Sequence, residues 1–224
     1  MVADARIERA KVFYQRSVIA GENDGLTTAD RELDALEAEL ALARGRIRHG
    51  RFLARRAEDE TEEPGELAAF ERALELFRAL GDIRGEGESL FWIGAVHQVV
   101  RRDHATAVPI LERSRDLATK VGDREIAAEA LRHLGIAEHA AGRLGAAREH
   151  LTRSSEIRRE AGLPAGVAAN MVGLGYITAA EGRHDDALSI LDEAHALALA
   201  HGAHNILLQI EEAQAHVRQI RNRV

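Results

Sequence analysis

Cysteine is absent from the 224-residue chain, which removes disulfide scaffolds, thiol nucleophiles and thiolate metal sites together. Proline occurs only at Pro64, Pro109 and Pro164, so little interrupts long helices. Aromatic residues supply 4 % of the chain, whereas hydrophobic residues make up 46 %. A core this poor in rings has to be built from Ala, Leu, Ile and Val on closely spaced helices. A basic excess is also missing: acids outnumber bases by 37 to 30 and the formal net charge is -7, which argues against non-specific nucleic-acid binding. No run approaches the roughly 18 uncharged apolar residues of a membrane span. The opening MVADARIERAKVFYQRSVIAG mixes acids with bases from its first turn and lacks the apolar stretch of a secretory signal. These absences lead us to expect a cytoplasmic protein.

What the sequence does contain is a repeat. Gly81, Gly122, Gly162 and Gly202 are separated by 41, 40 and 40 residues, and Gly94, Gly135 and Gly175 recur between them at 41 and 40. Three further rows keep the same phase: Glu66, Ala107, Ala147 and Ala187; Phe70, Leu111, Leu151 and Leu191; and Ala73, Ser114, Ser154 and Ala194. Each unit reads as two helices. In the third, Ile126, Ala130, Leu134 and Ala137 recur at helical spacing, Gly142 closes the helix, and Leu144, Ala147, Leu151 and Ile157 form a second amphipathic run that stops at Gly162. Gly94, Gly135 and Gly175 fall inside helices, where glycine costs about 1 kcal/mol relative to alanine. Close approach of a neighbouring helix is the expected compensation.

These residues resemble the tetratricopeptide repeat family. In that family the first helix carries a large apolar residue followed by glycine, matched here by Ile93-Gly94, Leu134-Gly135 and Leu174-Gly175. The second helix carries an alanine that packs on it, matched by Ala107, Ala147 and Ala187. The family's loop glycine corresponds to Gly142 and Gly182, with Arg102 in its place one unit earlier. The period departs from the usual 34 residues and is similar to that of a longer branch with about 40 per unit. The resemblance implies an all-α fold, a right-handed α-solenoid of antiparallel helix pairs with one concave face and capping helices at both ends. The expected divisions are 1–27, an N-terminal helix and capping loop; 28–82, a diverged first unit; 83–123, 124–163 and 164–203, three further units; and 204–224, a C-terminal capping helix. Thr27 and Asp30 are read as a capping box ahead of the first long helix.

The resemblance also implies a groove lined by the first helix of each pair. By register it selects Glu88, Phe91, Ala95 and Gln98; then Glu129, Arg132, Ile136 and His139; then Val172, Tyr176 and Ala179, with Trp92 and His133 beside the row. Rare aromatics near one groove suit the anchoring of a partner side chain, although Trp92 equally suits the core. Chaperone-tail binders of the family hold a terminal carboxylate with asparagines, whereas Trp92, His133 and Gly173 occupy that row here, so this function is not implied. A second candidate is the stripe Arg44, Arg48, Arg51 and Arg55, spaced 4, 3 and 4 on one helix face. It suits an acidic partner through bidentate contacts, unless the acids of the following EDETEEPGE segment neutralise it.

Other chemistry finds little support. His133 and His139 are six residues apart and do not eclipse, His201 and His204 flank a predicted helix end, and no HExxH pattern occurs, so no metal is expected. GENDGLTTADRE fails as a calcium loop: with Gly25 at position six, Ala20 and Arg31 occupy the key ligand positions. No phosphate loop or nucleophile elbow is present. An enzyme would have to assemble a pocket from His133, His139 and Glu129. The expectation is therefore a non-catalytic scaffold without a cofactor that binds a protein or peptide in the groove. The alternative is a regulatory sensor for a small acidic ligand or signalling peptide. The open ends of such a stack can be capped within the chain or paired in a homo-oligomer, and the sequence leaves both open.

Overall fold

The computed structural model describes residues 4–223. Residues 1–3 and 224, parts of the expected terminal segments, lie outside the described residues. Among the described residues ten α-helices follow one another: α1 (Ala5–Ala20), α2 (Leu26–Arg55), α3 (Glu66–Leu80), α4 (Ile83–Ala95), α5 (His104–Val121), α6 (Arg124–Ala140), α7 (Leu144–Glu160), α8 (Pro164–Ala180), α9 (His184–Ala200) and α10 (His204–Arg221). A π-helical turn, Val96–Val100, continues α4. No strand occurs among the described residues, and the expected all-α helical-repeat class holds. The chain divides into two compact units, Met1–Arg102 and Asp103–Val224, with the boundary inside the expected 83–123 unit. Within the first, α2 pairs with α3 and α3 with α4; within the second, successive helices from α5 to α10 pack in order.

The turns use the same local chemistry repeatedly. At the end of α3, Gly81 takes φ 74° and the Asp82 amide donates back to the Phe77 carbonyl at 2.9 Å, satisfying carbonyls that the helix would leave unpaired. Asp82 then caps α4, its carboxylate accepting from the Gly85 amide at 3.0 Å. Asp123 does the same for α6 through the Ile126 amide, at 3.1 Å. The expected capping box at Thr27 and Asp30 does not form: α2 starts earlier, at Leu26, with Gly25 as its cap and no side-chain hydrogen bond. A Cβ at Gly25 would enter the Phe13 ring, so the helix start is set by packing against α1. Pro109 lies inside α5, which continues past it and forgoes one ladder hydrogen bond.

All three recurring rows are interior: Phe70, Leu111 and Leu191 are wholly buried, as are Ala107, Ala147 and Ala187 and the Ala73, Ser114, Ser154 and Ala194 row. A Cβ at Gly135 would lie 2.9 Å from Leu151 Cγ and 3.2 Å from the Ala147 carbonyl oxygen, and one at Gly175 2.8 Å from Leu191. Close helix approach is thus the reason for both interior glycines. The first unit has its own version in α2, where a Cβ at Gly45 would strike the Phe70 ring. In the second unit one cluster joins Ala168, Val172, Leu191, Ala194, Ile210 and Val217, as expected for an aliphatic core. The first instead concentrates the rings, burying Phe52, Phe70, Phe77 and Phe91.

One added residue explains the 41-residue interval. Eight residues separate Gly94 from Arg102, whereas seven separate Gly135 from Gly142 and Gly175 from Gly182. The extra residue is absorbed in the turn Val96–Val100, where the wider i to i+5 pattern accommodates it. The helix then ends on Arg102, which adopts φ 55°, the left-handed conformation that Gly142 and Gly182 take at 74° and 82°. A side chain in that region carries a steric penalty.

Substitutions at two positions test this account. Gly135→Ala is expected to lower stability by about 1–3 kcal/mol through overpacking, against roughly 1 kcal/mol of helix propensity gained. The readout is a lower urea midpoint at unchanged slope; a midpoint that stays or rises contradicts the close approach. Arg102→Gly is expected to raise stability by up to about 1 kcal/mol and Arg102→Val to lower it, measured in the same way. The reverse order would show that this residue bears no backbone strain.

Candidate functional site

The second unit gathers five of the register-selected residues around one recess. Arg132, Ile136 and His139 from α6 stand opposite Val172 and Tyr176 from α8, with Gly135, Leu151, Ala169 and Gly173 completing the wall. The cavity measures about 200 Å³. Its depth depends on the glycines, because a Cβ at Gly173 would lie 2.7 Å from Leu151. The lining is mainly apolar, and Arg132 is its cation. The guanidinium of Arg132 makes no hydrogen bond or ion pair with any described residue. Burial pulls its pKa below the ordinary value; Glu129 opposes that shift and Arg158 adds to it. An arginine nevertheless stays charged. His139 is likewise pulled down by burial, and burial, with Glu212 in second place, raises the Tyr176 phenol.

Neighbouring polar groups are already committed to structure. Arg158 is buried, donates Nη1 to the Gly166 carbonyl at 2.7 Å and holds Glu129 at 2.6 Å. Asn170 donates Nδ2 to Ser154 Oγ at 2.9 Å and to Ser155 Oγ at 3.1 Å, while Ser154 donates to the Ala128 carbonyl at 2.7 Å. These bonds tie α6, α7 and α8 together and fix the recess. Glu129, selected by register, therefore serves as the ion partner of Arg158. His133 is buried and does not line the recess.

In the first unit the same register yields a different result. Phe91, Ala95 and Gln98 are buried, so their side chains belong to the interior and do not offer a surface. Ala179 of the second unit is buried too. Trp92 is half-buried: its ring stacks on Phe70 with centroids 5.5 Å apart and meets Phe91 and His49 edge-on at 5.1 and 5.4 Å. It is a core ring with one accessible side, over which Arg46 lies 5.8 Å from the centroid. Glu88 pairs with Arg46. Behind this cluster His49 Nδ1 lies 2.7 Å from Glu66 Oε1, and Glu66, in the row otherwise held by alanines, is fully buried. Sequence reasoning passed over Arg46 and His49, and placed Glu66 in a repeat row without its partner, because these contacts are long-range in the chain.

The arginine stripe is largely occupied from within. Arg48 donates to the Gly65 carbonyl at 2.8 Å, Arg55 pairs with Glu63 and donates to the Thr61 carbonyl at 2.7 Å, and Arg51 lies 3.9 Å from Glu63. Arg101 adds a two-point contact to Glu62 at 2.8 and 2.9 Å, and Arg102 pairs with Glu60. Together these cations clamp the acidic segment 56–65. Arg44 alone of the four stays exposed with no partner among the described residues.

Among the described residues, no group of three or more His, Asp or Glu side chains is arranged to hold a metal ion, and no helix is long and apolar enough to cross a membrane. Residues 86–160 match the model of the tetratricopeptide repeat family. No curated protein matches the chain. Such repeats generally mediate protein–protein interaction, and their all-helical fold is typically a non-catalytic scaffold. The matched segment, the interior glycines and the buried alanine row agree on a tetratricopeptide-type helical repeat over residues 86–160.

Proposed function

We propose that the chain binds a partner peptide in the recess between α6 and α8, seating an acidic group on Arg132 and an apolar side chain against Ile136, Val172 and Tyr176. The observation that carries this reading is the unpaired Arg132 guanidinium in an apolar wall. A charge held against an apolar wall without a partner is poorly compensated, and an incoming carboxylate would offer it a bidentate, charge-assisted contact. The size supports a peptide over a metabolite. Small-molecule sites commonly span about 300–1,000 Å³, whereas about 200 Å³ suits one or two side chains of a longer ligand. Phe91, though picked by register, has no part in this site because it is buried in the first unit.

Peptide display against the purified full chain is expected to enrich sequences with an acidic residue beside an aliphatic one. Arg132→Ala and Tyr176→Ala should each weaken the selected peptides by roughly tenfold or more, with helicity by circular dichroism unchanged. A folded double variant that binds them as the parent does would overturn the reading. A thermal shift with a small dicarboxylate alone, lost in Arg132→Ala, would favour the sensor alternative.

A further inference from the structure

The first unit carries an apolar surface that nothing within it covers. Helix α2 has 30 residues and α1 only 16, lengths of about 45 and 24 Å. Helix α1 runs antiparallel along the N-terminal half of α2: Phe13 packs on Gly25, Arg9 holds Glu32 at 2.9 Å, and Arg6 grips Glu39 at 2.7 and 2.8 Å. Beyond Glu39 the outer side of α2 lacks this cover. Leu26, Leu33, Leu40 and Ile47 form a row at seven-residue spacing, which keeps them on one stripe. Leu40 is 47 % and Ile47 62 % exposed. On α1, Tyr14 and Val18, four apart, are 64 % and 66 % exposed. With α1 antiparallel to α2, the helical angles place the two rows on the same side.

Charge along the stripe identifies the occupant. Asp30 and Glu37 flank the row in the N-terminal half, and Arg44 and Arg51 flank it at the same heptad position in the C-terminal half. The sign reverses near Leu40, which also lies at the middle of α2. A helix with this pattern is complementary to itself when inverted. An antiparallel second copy, two-fold related near Leu40, would set Leu40 on Leu40, Leu33 on Ile47, Glu37 on Arg44 and Asp30 on Arg51. A parallel copy would set like charges together and is disfavoured. Asp30 and Arg44 have no partner among the described residues; Glu37 uses Oε1 on Arg72 at 2.7 Å, and Arg51 has only the 3.9 Å approach to Glu63. The inverted arrangement also places the α1 row of each copy beside the uncovered half of the other α2.

We infer that the chain forms an isologous homodimer through antiparallel pairing of the α2 stripe with a second copy of itself. Sedimentation of the full chain up to about 100 µM is expected to show a dimer. Glu37→Arg and Arg44→Glu should each raise its dissociation constant about tenfold or more, while an equimolar mixture of the two, in which both contacts become attractive, should restore a heterodimer. Because the chain has no cysteine, Leu40→Cys should oxidise to a covalent dimer and Ile47→Cys alone should not. A wild-type monomer throughout the range, single variants that dimerise like wild type, or equal crosslinking at both positions would overturn the inference. Peptide binding at Arg132 plays no part in these readouts.

Discussion

The fold depends on how closely the two helices of a pair can approach. At Gly135 and Gly175 the absence of a Cβ lets the first helix sit directly on Leu151 and Leu191 of the second, and the wholly buried Ala147 and Ala187 keep the facing surface flat. Helix propensity is sacrificed locally for contact along a whole pair. Once the pair is fixed, side chains on the remaining face of the first helix have few places to go. That restriction is what lines up Arg132, Ile136 and His139 against Val172 and Tyr176.

Much of this was legible because spacing survives without an alignment. The glycine and alanine rows gave the pairs and most helix ends, and the 41-residue interval already carried the trace of the widened turn. Gly45 was not legible. It stands 21 residues before Glu66, whereas Gly135 stands 12 before Ala147, so the long acidic loop hides the equivalence that the Phe70 contact reveals. Register was less successful for the site. It identifies which face a residue occupies but not how deeply that face is covered, so it selected Phe91, Ala95 and Gln98 alongside residues that line a recess. The Thr27 and Asp30 pattern failed for a related reason: a tertiary contact, Phe13 on Gly25, set the helix start where no side chain caps it.

The arginines show how composition conceals function. Most of the stripe on α2, with Arg101 and Arg102, holds down the segment 56–65 through Glu60, Glu62, Glu63 and nearby carbonyls. Exposed pairs of this kind contribute little to stability individually, but several converging on one loop restrict its geometry. Arg158 is similarly absorbed by Glu129 and Gly166. Arg132, which the repeat register did select, differs in standing without such a pairing in the wall of an apolar recess. Glu66 makes the complementary point, as a carboxylate placed where the other units have alanine and accommodated by His49.

The uneven distribution of rings has a spectroscopic consequence. Trp92 is the single tryptophan of the chain, and it stacks on Phe70 inside Met1–Arg102. Its emission therefore reports the integrity of that half alone, whereas far-ultraviolet ellipticity sums over every helix. Superimposable melting curves from the two signals would mark a single cooperative molecule, and separated curves would mark halves that come apart one after the other.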